Sequence, residues 1–164
     1  MALGLRQRIG SIRHAITLLG RQQMRRWLQL ALVAADDERG IDNPLLDTAA
    51  VRATFMELLA HCLPADARAR EVLEQAFLVG ILSLIDALYD ISMDDLVRSL
   101  RLSREATAAL VSREGRLGEM LSFVESMERL DFDRAWVELG CLSITRHQAL
   151  EAQWRAFNWR TGPT

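Results

Sequence analysis

The chain has 164 residues, half of them apolar and 26% charged, with three prolines and two cysteines far apart in sequence. That length supports one compact domain, or two docked subdomains, without a disulfide or metal staple. The lone Cys62 and Cys141 exclude a disulfide scaffold and a multi-cysteine zinc motif. No apolar run reaches the roughly 18 residues of a bilayer span and no charged start leads into a signal-peptide core, so the expectation is a cytoplasmic protein with no membrane partner.

Net charge is −2, and all 20 basic residues are arginine. The distribution is uneven: residues 1–35 carry six arginines and no acid, leaving −8 for the rest. A genome rich in arginine codons accounts for the absence of lysine. Arginine is also the better residue for buried, two-pronged ion pairs.

The dominant period along the chain is helical. Ile9, Ile12, Ile16 and Leu19 recur on one face, and Gly20 is placed to end that helix. Met24, Trp27, Leu28 and Ala31 give a second stripe, whose polar face carries Arg21, Arg25 and Arg26. Asp36 to Asn43 is rich in turn formers. Asn43-Pro44 reads as an N-cap with proline at the first helical position, starting a helix that runs to about Leu63 and stops at Pro64.

Asp66 to Tyr89 is the strongest helix signal. Only Gly80, Ser83 and Asp86 interrupt its apolar residues between Ala76 and Leu88, the pattern of a helix buried on all sides. Beyond Asp90 the rhythm shortens. Ser92 and Asp95 have capping-box spacing, and Ser103, Asp131 and Ser143 are expected to cap further short helices. Leu117, Met120, Leu121, Val124 and Met127 form another stripe. The last helix, about Ile144 to Trp159, places Leu150, Trp154 and Phe157 on one face.

No strand-like alternation of useful length, repeat or flexible linker appears. The reading is all-α, a multi-helix bundle of eight or nine helices. Core helices are expected over residues 1–90, with a C-terminal subdomain of short helices over 91–164 docked on the same core.

Gly10 to Gly20, followed by Met24-Arg25-Arg26-Trp27-Leu28, resembles the HDOD domain, the HD-related output domain. So do Ala76 to Asp86, Asn43-Pro44-Leu45-Leu46 leading into Val51-Arg52-Ala53, and the Leu139-Gly140 step before a tryptophan-bearing last helix. The branch it is most similar to is attached to EAL cyclic-di-GMP phosphodiesterase domains of bacterial signalling proteins. The resemblance implies an HD-superfamily-like helical bundle. It also implies a non-enzymatic regulatory module, working through contacts with a protein partner or an adjacent EAL or sensory domain. Family members carry several helices ahead of the segment beginning at Gly4, which implies a piece of a longer protein. An apolar groove left by a missing segment would suit another copy, making a homo-oligomer an expectation too.

The HD superfamily hydrolyses phosphoesters with one or two metal ions, which need several His and Asp ligands converging on one pocket. At the positions that the resemblance matches to the His-Asp pair stand Ser83 and Leu84. A hydroxyl is a poor ligand for a divalent ion and a leucine is none. None of His14, His61 and His147 is followed by aspartate. No catalytic residue, metal or cofactor is therefore expected; the runner-up is a metal-dependent phosphohydrolase that retains some activity.

Other constellations have ordinary explanations. Glu57 and His61 lie four apart on one helix face, the spacing of a simple contact. Asp86 interrupts the most apolar helix and is expected to form a structural ion pair with an arginine or a helix N-terminus. Cys62 and Cys141 are expected to be small buried apolar residues. Asp95 to Glu105 has the outline of a helix-turn-helix, which leaves a DNA-binding regulator as a third reading. Its second helix, however, offers mainly Ala106-Thr107-Ala108-Ala109-Leu110 to a groove, and this argues against a nucleic-acid partner. Trp154 and Phe157 are expected to cap the core. Trp159, off their stripe, is expected to be exposed, and joins Arg21, Arg25 and Arg26 as the candidate interaction surface.

Overall fold

The computed structural model describes residues 44–64, 67–84, 87, 92–100 and 102–158. His14, Arg21, Arg25, Arg26, Asp86 and Trp159 lie outside them. All described residues belong to one compact unit within Pro44–Thr164.

Seven helices and no strand occur among the described residues: α1 (Pro44–Cys62), α2 (Ala67–Leu82), α3 (Met93–Leu100), α4 (Arg104–Ser112), α5 (Gly115–Glu128), α6 (Phe132–Cys141) and α7 (Arg146–Phe157). The all-α reading holds.

Helix α1 begins at Pro44, where the missing N–H costs nothing, and ends at Cys62, before Pro64. It buries Ala49, Ala53, Phe55, Met56, Leu59 and Ala60, together with Arg52 and Thr54. Helix α2 returns antiparallel along it, since the close pairs Ala53–Gly80 and Arg52–Ser83 straddle the loop after Leu63. A Cβ on Gly80 would sit 2.6 Å from the Ala53 Cα, so glycine is what lets the two backbones touch.

Sequence periodicity carries α2 through to Tyr89, but the helix stops at Leu82, and Ser83 and Leu84 form a turn. The Ser83 hydroxyl donates to the Gly80 carbonyl at 2.7 Å, occupying an acceptor of the last helical turn. Nor is α2 buried on all sides: Val79, Gly80, Ile81 and Leu82 are interior, whereas Phe77 and Leu78 are half-buried.

The interior helix is α5. It buries Leu117, Met120, Leu121, Val124 and Met127, the stripe read from sequence, and also Gly118, Phe123 and Ser126. It packs against α1, α2, α4 and α6. Phe123 meets Phe55 of α1 with ring centroids 6.0 Å apart. Each such large apolar side chain contributes about 2 kcal/mol by leaving water.

Several caps follow their sequence signals. The Ser103 side chain accepts from the Ala106 N–H, and that of Asp131 from the Arg134 N–H. The Ser92–Asp95 box is half formed: Ser92 Oγ accepts from the Asp95 N–H but donates to the Asp95 carboxylate.

Two expectations for the last helix fail. Thr145, not Ser143, is its N-cap, in a full capping box with Gln148, while Ser143 takes a left-handed φ of 57° in the preceding turn. The face of α7 that packs along α1 is Ala149, Ala152 and Ala156, so Leu150, Trp154 and Phe157 do not cap the core: they are 48%, 70% and 58% exposed. Small side chains allow two helices to approach closely, and here they outcompete the larger row.

Gly118 and Gly140 test this packing. A Cβ on Gly118 would lie 2.2 Å from the Arg113 carbonyl carbon, whereas one on Gly140 meets nothing within 4 Å. In urea unfolding, Gly118→Ala is expected to cost about 3 kcal/mol or more. Gly140→Ala, in a helix interior, should be neutral or stabilising by up to about 1 kcal/mol. Equal effects would contradict the close approach at Gly118.

Candidate functional site

The site built around Ser83 is held by an arginine. Arg52 sits in the buried stripe of α1 between Ala49 and Met56, with 6% of its surface exposed. Its Nη1 donates to Ser83 Oγ at 2.8 Å. Its Nε donates to Glu128 Oε1 at 2.9 Å and its Nη2 to Glu128 Oε2, a two-pronged pair with the last turn of α5. Glu125 Oε1, one turn earlier, lies 3.8 Å from Nη1.

Glu125 is shared with a second arginine. Arg113 donates from Nη2 to Glu125 Oε1 at 2.8 Å and from Nε to Oε2 at 3.3 Å, while its Nη1 donates to the Leu110 and Ala109 carbonyls. Arg113 is the left-handed residue that ends α4, with φ 58°. Two arginines and two glutamates thus connect α1, the end of α2, the α4–α5 turn and α5. Among the described residues no buried side-chain nitrogen or oxygen lacks a partner.

This arrangement does not fit a divalent metal ion. Ser83 Oγ, the one polar side chain at the two matched positions, already accepts from a guanidinium and donates to a carbonyl. A dication beside it would face the fixed positive charge of Arg52. Among the described residues no three His, Cys, Asp or Glu side chains are grouped to hold a metal.

The remaining sequence candidates are dispersed. His61 and His147 are exposed, and Glu57 is half-buried. The Asp95–Glu105 stretch spans most of α3 and the start of α4, and α4 exposes only Arg104, Glu105, Val111 and Ser112. A groove of about 800 Å³, lined among others by Gln75, Arg104, Glu105, Arg116, Glu119 and Cys141, shares no residue with the Arg52 cluster. Arg116 is held there by Glu119 at 3.4 Å and by the Cys141 carbonyl at 2.8 Å. No helix among the described residues is long and apolar enough to cross a membrane.

In the sequence Arg52 stands out only as part of the segment that resembles the family, and the buried ion pair is expected at Asp86. The available signal was its position: Ala49, Ala53 and Met56 surround it at helical spacing, so an arginine there must be buried with partners.

The chain is similar to the cyclic di-GMP phosphodiesterase CdgJ of Vibrio cholerae, with 34% identity over 151 residues, covering 88% of this chain and 33% of that protein. It is also similar to YuxH of Bacillus subtilis, described as uncharacterized, with 29% identity over 157 residues, covering 94% of this chain and 37% of that protein. The chain spans about a third of the length of these curated relatives. No family model and no solved structure matches it.

The cysteines are more accessible than expected: Cys62 is half-buried and Cys141 exposed. Desolvation pushes the Cys62 thiol above its ordinary value; the Glu151 carboxylate adds to the shift and Arg155 opposes it. The reactive species is the thiolate. Alkylation near pH 8 is therefore expected to modify Cys141 first, with the Cys62 rate rising only at higher pH than for a free thiol. The raised value favours the folded state below the ordinary thiol pKa of about 8.5, and that contribution is lost as pH climbs through the folded value. Equal rates in the native chain, followed by mass spectrometry, would contradict this reading.

Proposed function

We propose that this chain is an HDOD-like regulatory module of a cyclic-di-GMP signalling protein, non-enzymatic itself and acting in the cytoplasm by docking on a protein partner or an adjacent EAL or sensory domain. The observation that carries the reading is Arg52. Where a hydrolase of the HD type would gather ligands around a metal, a guanidinium bonded to Ser83 and Glu128 supplies a permanent cation of the protein's own. The similarity to CdgJ supports the signalling context. The resemblance in the Ala76–Asp86 and Val51–Ala53 segments supports the family.

A second reading is favoured by one fact, the description of CdgJ as a phosphodiesterase. On that reading the chain would itself cleave the cyclic dinucleotide. The two separate on a single preparation, loaded with manganese or magnesium, desalted, analysed for metal and incubated with cyclic di-GMP. The regulatory reading expects metal well below one ion per chain and no linear product above the blank. Stoichiometric metal together with turnover would establish the phosphodiesterase. Salt-sensitive retention on duplex DNA would instead favour the helix-turn-helix reading.

A further inference from the structure

Helix α7 carries an apolar row that no helix among the described residues covers. Leu150, Trp154 and Phe157 lie four and three residues apart on the face away from the alanines; Trp154 and Phe157 are mostly in water and Leu150 about half. An exposed tryptophan and phenylalanine on one row is a pattern of interaction surfaces rather than of ordinary solvated helices. Beside the row, on one flank, lie the exposed Glu151 and Arg155.

We propose that two copies of this chain pair through α7, antiparallel and related by a two-fold axis near Trp154. In such a pair each residue faces one whose number completes a nearly constant sum. Leu150 then meets Phe157 of the second copy, Trp154 stacks near its own counterpart, and Glu151 faces Arg155 of the second copy. Because an antiparallel two-fold sets like flanks against each other, both charge pairs form with opposite signs. The row and its charged flank are complementary to themselves, and this selects a second copy over an unrelated partner. Three apolar residues and two charges are far fewer than the roughly 20–30 residues a side of a standard interface, so the dimer is expected to dissociate in the micromolar range.

Sedimentation velocity over a concentration series tests the pairing with the whole chain. The mass is expected to rise from the 18.5 kDa of one chain towards twice that value. Trp154→Glu, a change at an exposed position, should hold it at one chain with an unaltered far-UV circular dichroism spectrum. Glu151→Arg and Arg155→Glu should each weaken association about tenfold, equivalent to about 1.4 kcal/mol, and the double exchange should restore it. A monomer at every concentration would leave the row to another protein and overturn the proposal. So would a dimer that survives Trp154→Glu, or charge reversals whose combination does not recover association.

Discussion

A guanidinium with 6% of its surface exposed must be surrounded by acceptors, because an unpaired charge in a protein interior costs several kcal/mol. Arg52 meets that demand with its planar fork: two bonds to Glu128 and one to Ser83. A lysine could not reproduce the geometry. The partners come from the end of α2 and the last turn of α5, so the charge sets how those helices sit on α1. Glu125 passes the constraint on to Arg113, whose backbone presses against Gly118 of α5. One polar network therefore runs from Ser83 to the α4–α5 turn, through a core made mainly of Ala, Leu, Val, Ile, Met and Phe.

The network gives a physical meaning to Ser83 and Leu84. Carboxylates at the edge of an apolar core need a counter-charge. Here Glu128 and Glu125 have one built in. A cation fixed by the chain neutralises them without an ion from solution. The mixed-charge groove beside Arg104 and Arg116 and the aromatic row on α7 are the parts of the surface with distinctive character.

Much of this was legible in the sequence wherever one rule acted alone. Pro44 and Pro64 bracket α1, Ser103 and Asp131 cap the helices after them, and the α5 stripe is buried as its spacing indicates. The failures occur where two rules compete. In α7, apolar size pointed to Leu150, Trp154 and Phe157, but close approach to α1 selected the alanine face, a choice set by the neighbouring helix rather than by α7 itself. At Ser83 the apolar run continued while the hydroxyl turned back to the Gly80 carbonyl and received Arg52, a contact made across 31 residues of sequence. Arg52 escaped because a charged residue reads as solvated unless the stripe around it is weighed first. Thr145 and Ser143 are both capping residues, and only the capping-box partner Gln148 distinguishes them.

The buried Arg52 and the part-exposed Glu128 form a coupled pair, and a double-mutant cycle measures the coupling directly. Urea unfolding of Arg52→Met, Glu128→Gln and the combined variant should give a coupling energy of about 1 kcal/mol or more, because Glu128→Gln leaves the buried guanidinium without its counter-charge, while solvent at Glu128 screens part of the attraction. A coupling below about 0.5 kcal/mol, with losses that simply add, would mean that the two residues do not depend on each other and that the guanidinium is not the organising charge of this core.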